Sequence, residues 1–372
     1  MSRDNLFFFK SALAIYAGVF FFISRNILLL LLLNNKCKLV KKKIVDILKI
    51  VIPLLLGCII FWLVYRDIDI DQLKEALSGG ISYTLIGAST VVALLSHIAR
   101  AIRWQMLLKP LGSKISIAEL TNTIFVNYGV NILLPRIGEF TRCGMVAKRD
   151  NISFTQVIGT LVSERMTDVA TVCLIIIAAF ALQMSIFFDF FATHPTILPK
   201  ILDILSSPWF YLIIIGSLLS IYGVVKNFSH IHLVSRTKKA IRNIWEGFYS
   251  ISRIPSFGWY TFWSITIWAL YFVQLHFMVM AFELTNQLSL VITFVVFAMT
   301  CIAGIVPVQG GIGAWHFATI TTLVYYGIGP VEAGAFALVA HAINTALFAI
   351  FGAYGFFAES RKVSIKSVRK HL

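Results

Sequence analysis

The sequence predicts an all-α polytopic membrane protein, with about six full spans and two re-entrant broken-helix hairpins arranged as an inverted repeat. Composition is the first reason: 58% of the 372 residues are hydrophobic, 13% are charged, and the mean hydropathy is +0.84. The second is the charge pattern, because basic residues cluster in short loops between apolar runs. The third is that two apolar stretches break at a proline followed by glycine, which a simple span does not do.

Composition also limits the function. The net charge of +15 is placed as the positive-inside bias predicts, so we expect contact with anionic lipid headgroups rather than with nucleic acid. The five cysteines are far apart and mostly lie in apolar runs, which favours neither a disulfide framework nor a metal or redox site. No HExxH, GxSxG or GxxxxGK[ST] pattern occurs. We therefore expect no metal, no cofactor, no catalytic residue and no enzymatic activity.

Residues 1–43 form a hydrophobic and basic extension. The apolar run from 11 to 33 contains Arg25 and Asn26, so a membrane span, an uncleaved signal anchor and an upstream extension all stay open. The lysines from Lys36 to Lys43 place the following loop in the cytoplasm. The side of the membrane on which each later segment begins and ends is assigned by counting spans from that loop.

The first predicted repeat covers residues 44–183 and includes the acidic segment RDIDIDQLKEALSGG. That segment is amphipathic, which favours a helix lying at the external membrane surface. Arg100 and Arg103 stand beside Trp104 at the end of a span, and we rank them as interface anchors first and ligand residues second. The predicted spans of this repeat are 44–65, 81–108 and 155–183.

An external loop over residues 184–207 leads to the second predicted repeat, residues 208–358. Its first two spans are separated by a strongly basic loop, which we place in the cytoplasm. Its last span ends at the basic tail, residues 359–372, so the C-terminus is expected to be cytoplasmic. The predicted spans of this repeat are 209–225, 257–282 and 331–358.

Two stretches do not fit this path as simple spans. Residues 115–151 must begin and end in the cytoplasm and break at PRIGE, whereas residues 288–328 begin and end outside and break at PVQGGIG. Each half then reads as span, span, broken hairpin and span, with opposite starting sides, which is typical of transporters. Weak sequence echoes agree, since Arg165 and Asp168 fall opposite His341 and Asn344.

The first break has the features of an anion site. Gly138 is expected to turn the chain, and the half-helix that starts near Glu139 points its N-terminal N–H groups at the break. Arg136 and Arg142 add guanidinium groups, which suit phosphate or carboxylate. We therefore predict that Arg136, Arg142 and Gly138 bind a lipid headgroup.

A second charged motif, SERMTD, follows on the next span. Glu164 and Asp168 share a helix face, and Arg165 lies within reach of Asp168. Because each charge near the bilayer centre costs about 2.5–3.5 kcal/mol, we predict one buried network of Glu139, Glu164, Arg165 and Asp168 that includes Arg142. A purely structural ion-pair lock and a snorkelling set at the interface stay open as alternatives. The secondary candidates for the site are Arg100, Arg103, His316, His341 and Asn344.

Three segments carry a family resemblance: RAIRWQMLLKPLG, the stretch from NILLPRIGEF to SERMTDV, and the stretch from PVQGGIGAWHF to AHAINT. In order and spacing they resemble the membrane domain of the lysylphosphatidylglycerol synthase/flippase family, over residues 44–358. The more specific elements are GExxR at Gly138 to Arg142 and ERxxD at Glu164 to Asp168, followed by PxxGGIG. The resemblance implies a polytopic inner-membrane module associated with lipid translocation. We expect a stand-alone member, without the soluble aminoacyl-transferase domain of the best-known relatives.

Three functions remain as hypotheses at this point. The first is a flippase-like lipid translocase of the bacterial cytoplasmic membrane, acting on a phospholipid or a polyprenyl-phosphate lipid. The second is a non-transporting scaffold or accessory subunit for an enzyme of envelope lipid or glycan synthesis. The third, ranked last, is an integral membrane transferase that uses Glu164 and Asp168 as an acid–base pair.

Overall fold

The computed structural model describes residues 51–184 and 249–368, with gaps at 52–53, 67, 135–136, 255 and 307, and the isolated residues 203, 206–208, 212 and 245. Within these ranges the chain is helical and has no strand, apart from one isolated bridge between Ile81 and Phe282. The predicted extension, residues 1–43, and nearly all of the predicted span 209–225 lie outside the described residues.

Ten α-helices are used below to describe this part of the chain. Four of the helical segments are long and apolar enough to cross a membrane: Tyr83–Leu111, Phe154–Leu182, Phe257–Met280 and Pro330–Arg361. The helices are α1 (Leu54–Tyr65), α2 (Ile70–Leu77), α3 (Tyr83–Leu108), α4 (Ile117–Leu133), α5 (Ile137–Asp150), α6 (Phe154–Leu182), α7 (Phe257–Met280), α8 (Leu290–Ala303), α9 (Ala314–Tyr325) and α10 (Pro330–Val368).

Serine N-caps fix where several helices begin. The hydroxyl of Ser82 accepts a hydrogen bond from the backbone of α3, and Ser256 and Ser289 do the same for α7 and α8. Ser116 and Glu119 form a reciprocal capping box at the start of α4. These caps satisfy the first free N–H groups and so fix the residue at which each helix begins. The helices begin close to the predicted starts of their segments.

The predicted breaks are both present, since α4 ends before residue 135 and α8 ends before residue 307. At 17 and 14 residues, α4 and α5 are about 26 and 21 Å long. Each is shorter than a hydrocarbon core of about 30 Å. The two helices pack against each other, as do α8 and α9.

Long helices of the two halves pack in antiparallel fashion. Helix α3 lies along α7, and the N–H of Ser82 at the start of α3 donates to Ala281 O at the end of α7 over 2.8 Å. Helix α4 crosses α10 closely, because a methyl group added at Gly352 would lie 2.5 Å from Gly129 Cα. Small residues at such a crossing let two helix backbones approach inside a membrane.

The helices of the first half of the chain, α1–α6, and those of the second half, α7–α10, show similar patterns of packing. Helix α4 packs on α10, and its counterpart α8 packs on α6. The contacts of α3 with α4 and of α5 with α6 likewise correspond to those of α7 with α8 and of α9 with α10. The described residues form two large apolar cores, one around Trp104 and Leu120 and the other around Phe282 and Phe336, and both halves contribute to each.

The two ends of the bundle differ in charge. At one end, Glu283 accepts a hydrogen bond from Gly80 N over 2.8 Å, close to the acidic helix α2. At the other end, Asp150 accepts from Ser113, and Arg149 pairs with Glu119 and with Glu359. This second end, the basic end, also carries Lys109, Lys114, Lys148 and Arg361.

Candidate functional site

Glu164 of α6 is the centre of a buried charge cluster. Its side chain is fully buried, and its two oxygens face three arginines from two other helices. Arg100 Nε donates to Oε1 over 2.7 Å, and Arg142 Nη2 donates to Oε2 over 2.7 Å. Arg103 Nη2 lies 3.5 Å from Oε1. One carboxylate therefore joins α3, α5 and α6 inside the apolar bundle.

Asp168, one turn further along α6, extends the cluster. It accepts a hydrogen bond from Arg103 Nη2 over 2.7 Å, and Arg165 Nη1 lies 3.6 Å from its other oxygen. Arg165 also lies 3.6 Å from Glu139 of α5, and these two side chains are partly exposed, at 40% and 28%. The charges predicted to meet thus do meet, with Glu139 and Arg165 at the edge rather than in the interior.

Among the residues that the structure describes, the cluster contains one more positive than negative charge. Its cations are Arg100, Arg103, Arg142 and Arg165, and its anions are Glu139, Glu164 and Asp168. Removing one partner of a buried ion pair costs several kcal/mol, so the carboxylates are needed to hold these arginines in place. The surplus positive charge makes the site favourable for an anion.

Trp104 packs against Arg142 of this cluster. The guanidinium carbon of Arg142 lies 4.3 Å from the centre of the Trp104 ring, and both side chains are fully buried. Trp104 Nε1 donates to Thr160 Oγ1 of α6 over 3.1 Å. Arg142 donates to Glu164 from Nη2 and contacts the Trp104 ring, and its fully buried side chain is not exposed to a lipid in this structure.

The interpretation of Arg100 and Arg103 as interface anchors is wrong. Both are buried and paired with carboxylates of α6. Helix α3 continues for eight residues beyond Arg100, which places Arg100 about 12 Å from the helix end. Depth in the bundle, rather than nearness to the end of the apolar run, decides the role of these two arginines.

Gly138 at the first break differs from its predicted role. Its N–H donates to Asn131 Oδ1 over 2.8 Å and is therefore not free for a ligand. It does not have a positive φ, so it does not turn the chain in the left-handed region. A methyl group added there would lie 2.2 Å from Asn127 O, so Gly138 is needed because α5 starts directly against α4. Arg136 lies outside the described residues.

The second break does depend on left-handed glycines. Gly310, Gly311 and Gly313 have φ values of 62°, 76° and 81°. His341 Nε2 donates to Gly310 O over 2.9 Å, and Gly313 N donates to Nδ1 of the buried His316 over 3.3 Å. The rings of His316 and His341 lie 4.6 Å apart between centroids. Both histidines thus hold the backbone of this break.

The two breaks touch each other. Gln309, next to the second break, donates from Nε2 to Ile132 O at the end of α4 over 2.7 Å. A carbonyl in the last turn of a helix lacks an intrahelical partner, and an unpaired one inside a membrane costs several kcal/mol. Gln309 and Asn131 therefore satisfy backbone groups that the breaks set free.

A cavity of about 330 Å³ lies between the halves, beside the charge cluster. Helices of both halves line it, and its described lining includes no aspartate or glutamate. Its polar lining residues are Ser89, His97, Arg100, Tyr128, Tyr271, Gln274, Thr300, Trp315 and Asn344.

Arg100 connects the charge cluster to this cavity. Its Nε is taken by Glu164, and its Nη1 donates to the Tyr128 hydroxyl over 3.3 Å. That hydroxyl also lies 3.1 Å from His97 Nδ1. Arg100 Nη2 makes no hydrogen bond to any residue that the structure describes, so its two N–H groups are available to a ligand.

Amide groups line the part of the cavity around Gln274 and Asn344, and the Tyr271 phenol lies within electrostatic range of Arg100. Gln274 Nε2 donates to Asn344 Oδ1 over 3.3 Å, and Ser89 Oγ donates to Gln274 O over 2.9 Å. The Gln274 Oε1, the Asn344 Nδ2 and the Tyr271 hydroxyl have no hydrogen-bond partner among the described residues. These groups can bind the polar part of a ligand.

Sequence reasoning missed several of these residues. Tyr128, Tyr271 and Gln274 were not candidates, and neither were Asn131 and Gln309, which complete the breaks. An intramembrane amide is itself a signal, because polar side chains in apolar helices normally face the bundle interior. Of the secondary candidates, Asn344 and Arg100 line the cavity, whereas His316 and His341 lie at the second break.

The chain is similar to a known protein family and, over a shorter stretch, to a curated protein. Residues 50–352 match the family described as lysylphosphatidylglycerol synthase TM region. Glycosyltransferase AglD of Haloferax volcanii is 30% identical over 134 residues, which are 36% of this chain and 21% of that protein. The chain therefore matches about a fifth of that relative's length. No solved structure matches the chain.

Proposed function

This chain belongs to the family of the lysylphosphatidylglycerol synthase TM region, and we propose that it moves a lipid with an anionic headgroup between membrane leaflets. It is a multi-pass membrane domain whose relatives point to lipid or glycan biosynthesis. On this proposal the chain carries the lipid and does not transform it. We place it in the bacterial cytoplasmic membrane.

The observation that carries the proposal is the cavity that contains Arg100. A buried arginine with free N–H groups, next to a cluster with surplus positive charge, is a favourable partner for a phosphate. Glu164 pairs with Arg100 Nε, and the described cavity lining adds no further aspartate or glutamate. An anionic headgroup entering the cavity would complete the charge balance of the site.

The architecture supports movement across the bilayer. We infer that α4 with α5, and α8 with α9, are re-entrant hairpins of an inverted repeat, because their helices are short and the two breaks meet. The repeat is further supported by matching polar pairs. Arg103 pairs with Asp168 in the first half, and Gln274 pairs with Asn344 in the second. Binding sites between inverted repeats are typical of transporters that open to each side in turn.

A transport assay with reconstituted protein tests the proposal. The protein is placed in vesicles that contain a fluorescent phospholipid or polyprenyl phosphate, and the fraction of probe reaching the opposite leaflet is measured. We expect transport by the wild type and at least about a tenfold loss with Arg100→Gln, since the phosphate loses its charged partner. Arg361→Gln, a change of the same kind at an exposed position, should keep the wild-type rate.

Two outcomes would contradict the proposal. One is a wild-type vesicle that moves no anionic lipid. The other is equal transport by the wild type and by folded Arg100→Gln protein. Because Arg100→Gln leaves Glu164 with fewer partners, its folding must be checked by size-exclusion chromatography. A wild-type preference for anionic over zwitterionic probe tests the same point without a variant.

An accessory role in glycan synthesis is the second candidate. The match to a segment of a protein named glycosyltransferase favours it, because that segment is a small part of the relative. In this case the charge cluster is a structural lock, and a synthesis enzyme should copurify in mild detergent at a fixed ratio. Absence of transport together with such a partner would favour this function over translocation.

A further inference from the structure

We propose that the cavity binds a lipid headgroup in which a phosphate ester carries a sugar. This inference rests on the proposed function and names the class of lipid. The cavity presents two different chemistries, the Arg100 guanidinium with the Tyr271 phenol near it, and the uncharged amide and indole groups of Gln274, Asn344 and Trp315. A bare phosphate uses only the first of them.

Arg100 is the phosphate-binding group of the site. Glu164 and Tyr128 hold its Nε and Nη1, so Nη2 is oriented before a ligand arrives. A donor fixed in this way loses little conformational freedom on binding. Its position beside three further arginines of the cluster keeps the phosphate ionised.

Gln274, Asn344 and Trp315 form the sugar-binding part, and Tyr271, which lies near Arg100, can contact either the sugar or the phosphate. Sugar hydroxyls both donate and accept hydrogen bonds, and the free Gln274 Oε1 and Asn344 Nδ2 supply one acceptor and one donor side by side. The Tyr271 hydroxyl can do either. Trp315 offers an apolar ring face with a polar edge, which fits the apolar C–H face of a sugar ring.

The size and shape of the cavity agree with such a headgroup. Arg100 follows Ser89 by 11 positions on α3, which is about 16 Å along the helix. Ser89 Oγ donates to Gln274 O, so this length estimates the backbone distance from Arg100 to Gln274 along the bundle. The Arg100 side chain tilts toward the start of its helix and shortens that gap. A volume of about 330 Å³ is near the lower limit of ligand pockets, about 300–1,000 Å³, so the lipid chains stay outside.

The same features disfavour a cationic headgroup. An ammonium group in this cavity would lie near Arg100 without a carboxylate among the described lining residues. Like charges at short distance in a low dielectric repel strongly. We therefore expect this chain to discriminate against aminoacylated lipids, although its family takes its description from one.

Ligand binding to purified protein in detergent tests the inference. The probes are a polyprenyl-phosphoryl hexose, the same polyprenyl phosphate without sugar, and lysylphosphatidylglycerol. We expect the hexose derivative to bind about tenfold more tightly than the bare phosphate, because two or three extra hydrogen bonds form. Asn344→Leu should remove this preference while binding of the bare phosphate is kept. Asn286→Leu, the same change in an exposed loop, should leave the preference unaltered.

The outcomes separate this inference from the proposed function. Equal affinity of the wild type for the two polyprenyl lipids overturns the sugar site, even if both lipids are transported. Tightest binding of lysylphosphatidylglycerol overturns it as well. Selective binding of the hexose derivative without transport in vesicles supports the ligand class and contradicts translocation. The wild-type comparison decides the point even where Asn344→Leu protein does not fold.

Discussion

Glu164 shows how much of the site depends on a single side chain. It contacts Arg100 and Arg142 at 2.7 Å and approaches Arg103, and the side chains of Arg103 and Arg142 are fully buried. Arg103 keeps Asp168, whereas Arg142 forms no ion pair with a second carboxylate among the described residues. The cluster is therefore stable only while Glu164 is ionised and in place.

We expect Glu164→Gln to lower the free energy of unfolding by about 3–5 kcal/mol, because it leaves buried guanidinium groups without a counter-ion. The midpoint of thermal unfolding in detergent measures the effect. Glu75→Gln, at an exposed position of α2, serves as the control and should change stability by less than about 0.5 kcal/mol. Equal midpoints for both variants would show that the buried pairs do not stabilise the fold.

At the residue scale, the sequence predicted which residues of α6 take part in this cluster. The i,i+4 spacing of Glu164 and Asp168 is a local property of a helix, so their shared face follows from spacing alone. The contact of Arg100 with Glu164 joins residues 64 positions apart and depends on how α3 packs on α6. Helix spacing carries no information on that packing, which is why Arg100 was assigned to the interface.

At the element scale, the start of α5 is fixed by its contact with α4. The Gly138 N–H binds Asn131, and the backbone carbonyl of Asn127 occupies the space that a side chain at Gly138 would need. Proline and glycine predicted the place of the break, because both residues interrupt helices for known reasons. The partners of the freed backbone groups were not predictable, since Gln309 comes from the other half of the chain.

Gly138→Ala tests this contact. The added methyl group would lie 2.2 Å from Asn127 O and must push α5 away from α4, so we expect a loss of about 1–3 kcal/mol in the free energy of unfolding. Gly87→Ala on α3 has no atom within 4 Å of the added group and should be neutral or slightly stabilising. Thermal unfolding of both variants in one detergent measures the difference. A neutral Gly138→Ala would mean that α4 and α5 are not held this closely.

At the scale of the whole molecule, the separation of charge between the two ends predicts how the protein sits in the membrane. The Gly80–Glu283 contact and the acidic helix α2 lie at one end, and Lys114 and Arg149 at the other. Basic loops stay in the cytoplasm during insertion. The order of loop charges along the sequence predicts the same orientation, because it needs no knowledge of helix packing. In the folded structure, loops that are far apart in the sequence lie together at the same end of the bundle.

Cysteine labelling tests that orientation. In a background with the five cysteines replaced by alanine, Ser78→Cys and Gln287→Cys should react with a membrane-impermeant maleimide in intact spheroplasts. Lys114→Cys, at the basic end, should react only after the membrane is permeabilised. All three positions are exposed, so differences in labelling report the side of the membrane rather than burial. Labelling of Ser78→Cys and Gln287→Cys from opposite sides would contradict the antiparallel pairing of α3 with α7. Labelling of all three in the reverse pattern would keep the fold and invert its orientation, which would place the Arg100 end of the cavity nearer the external leaflet.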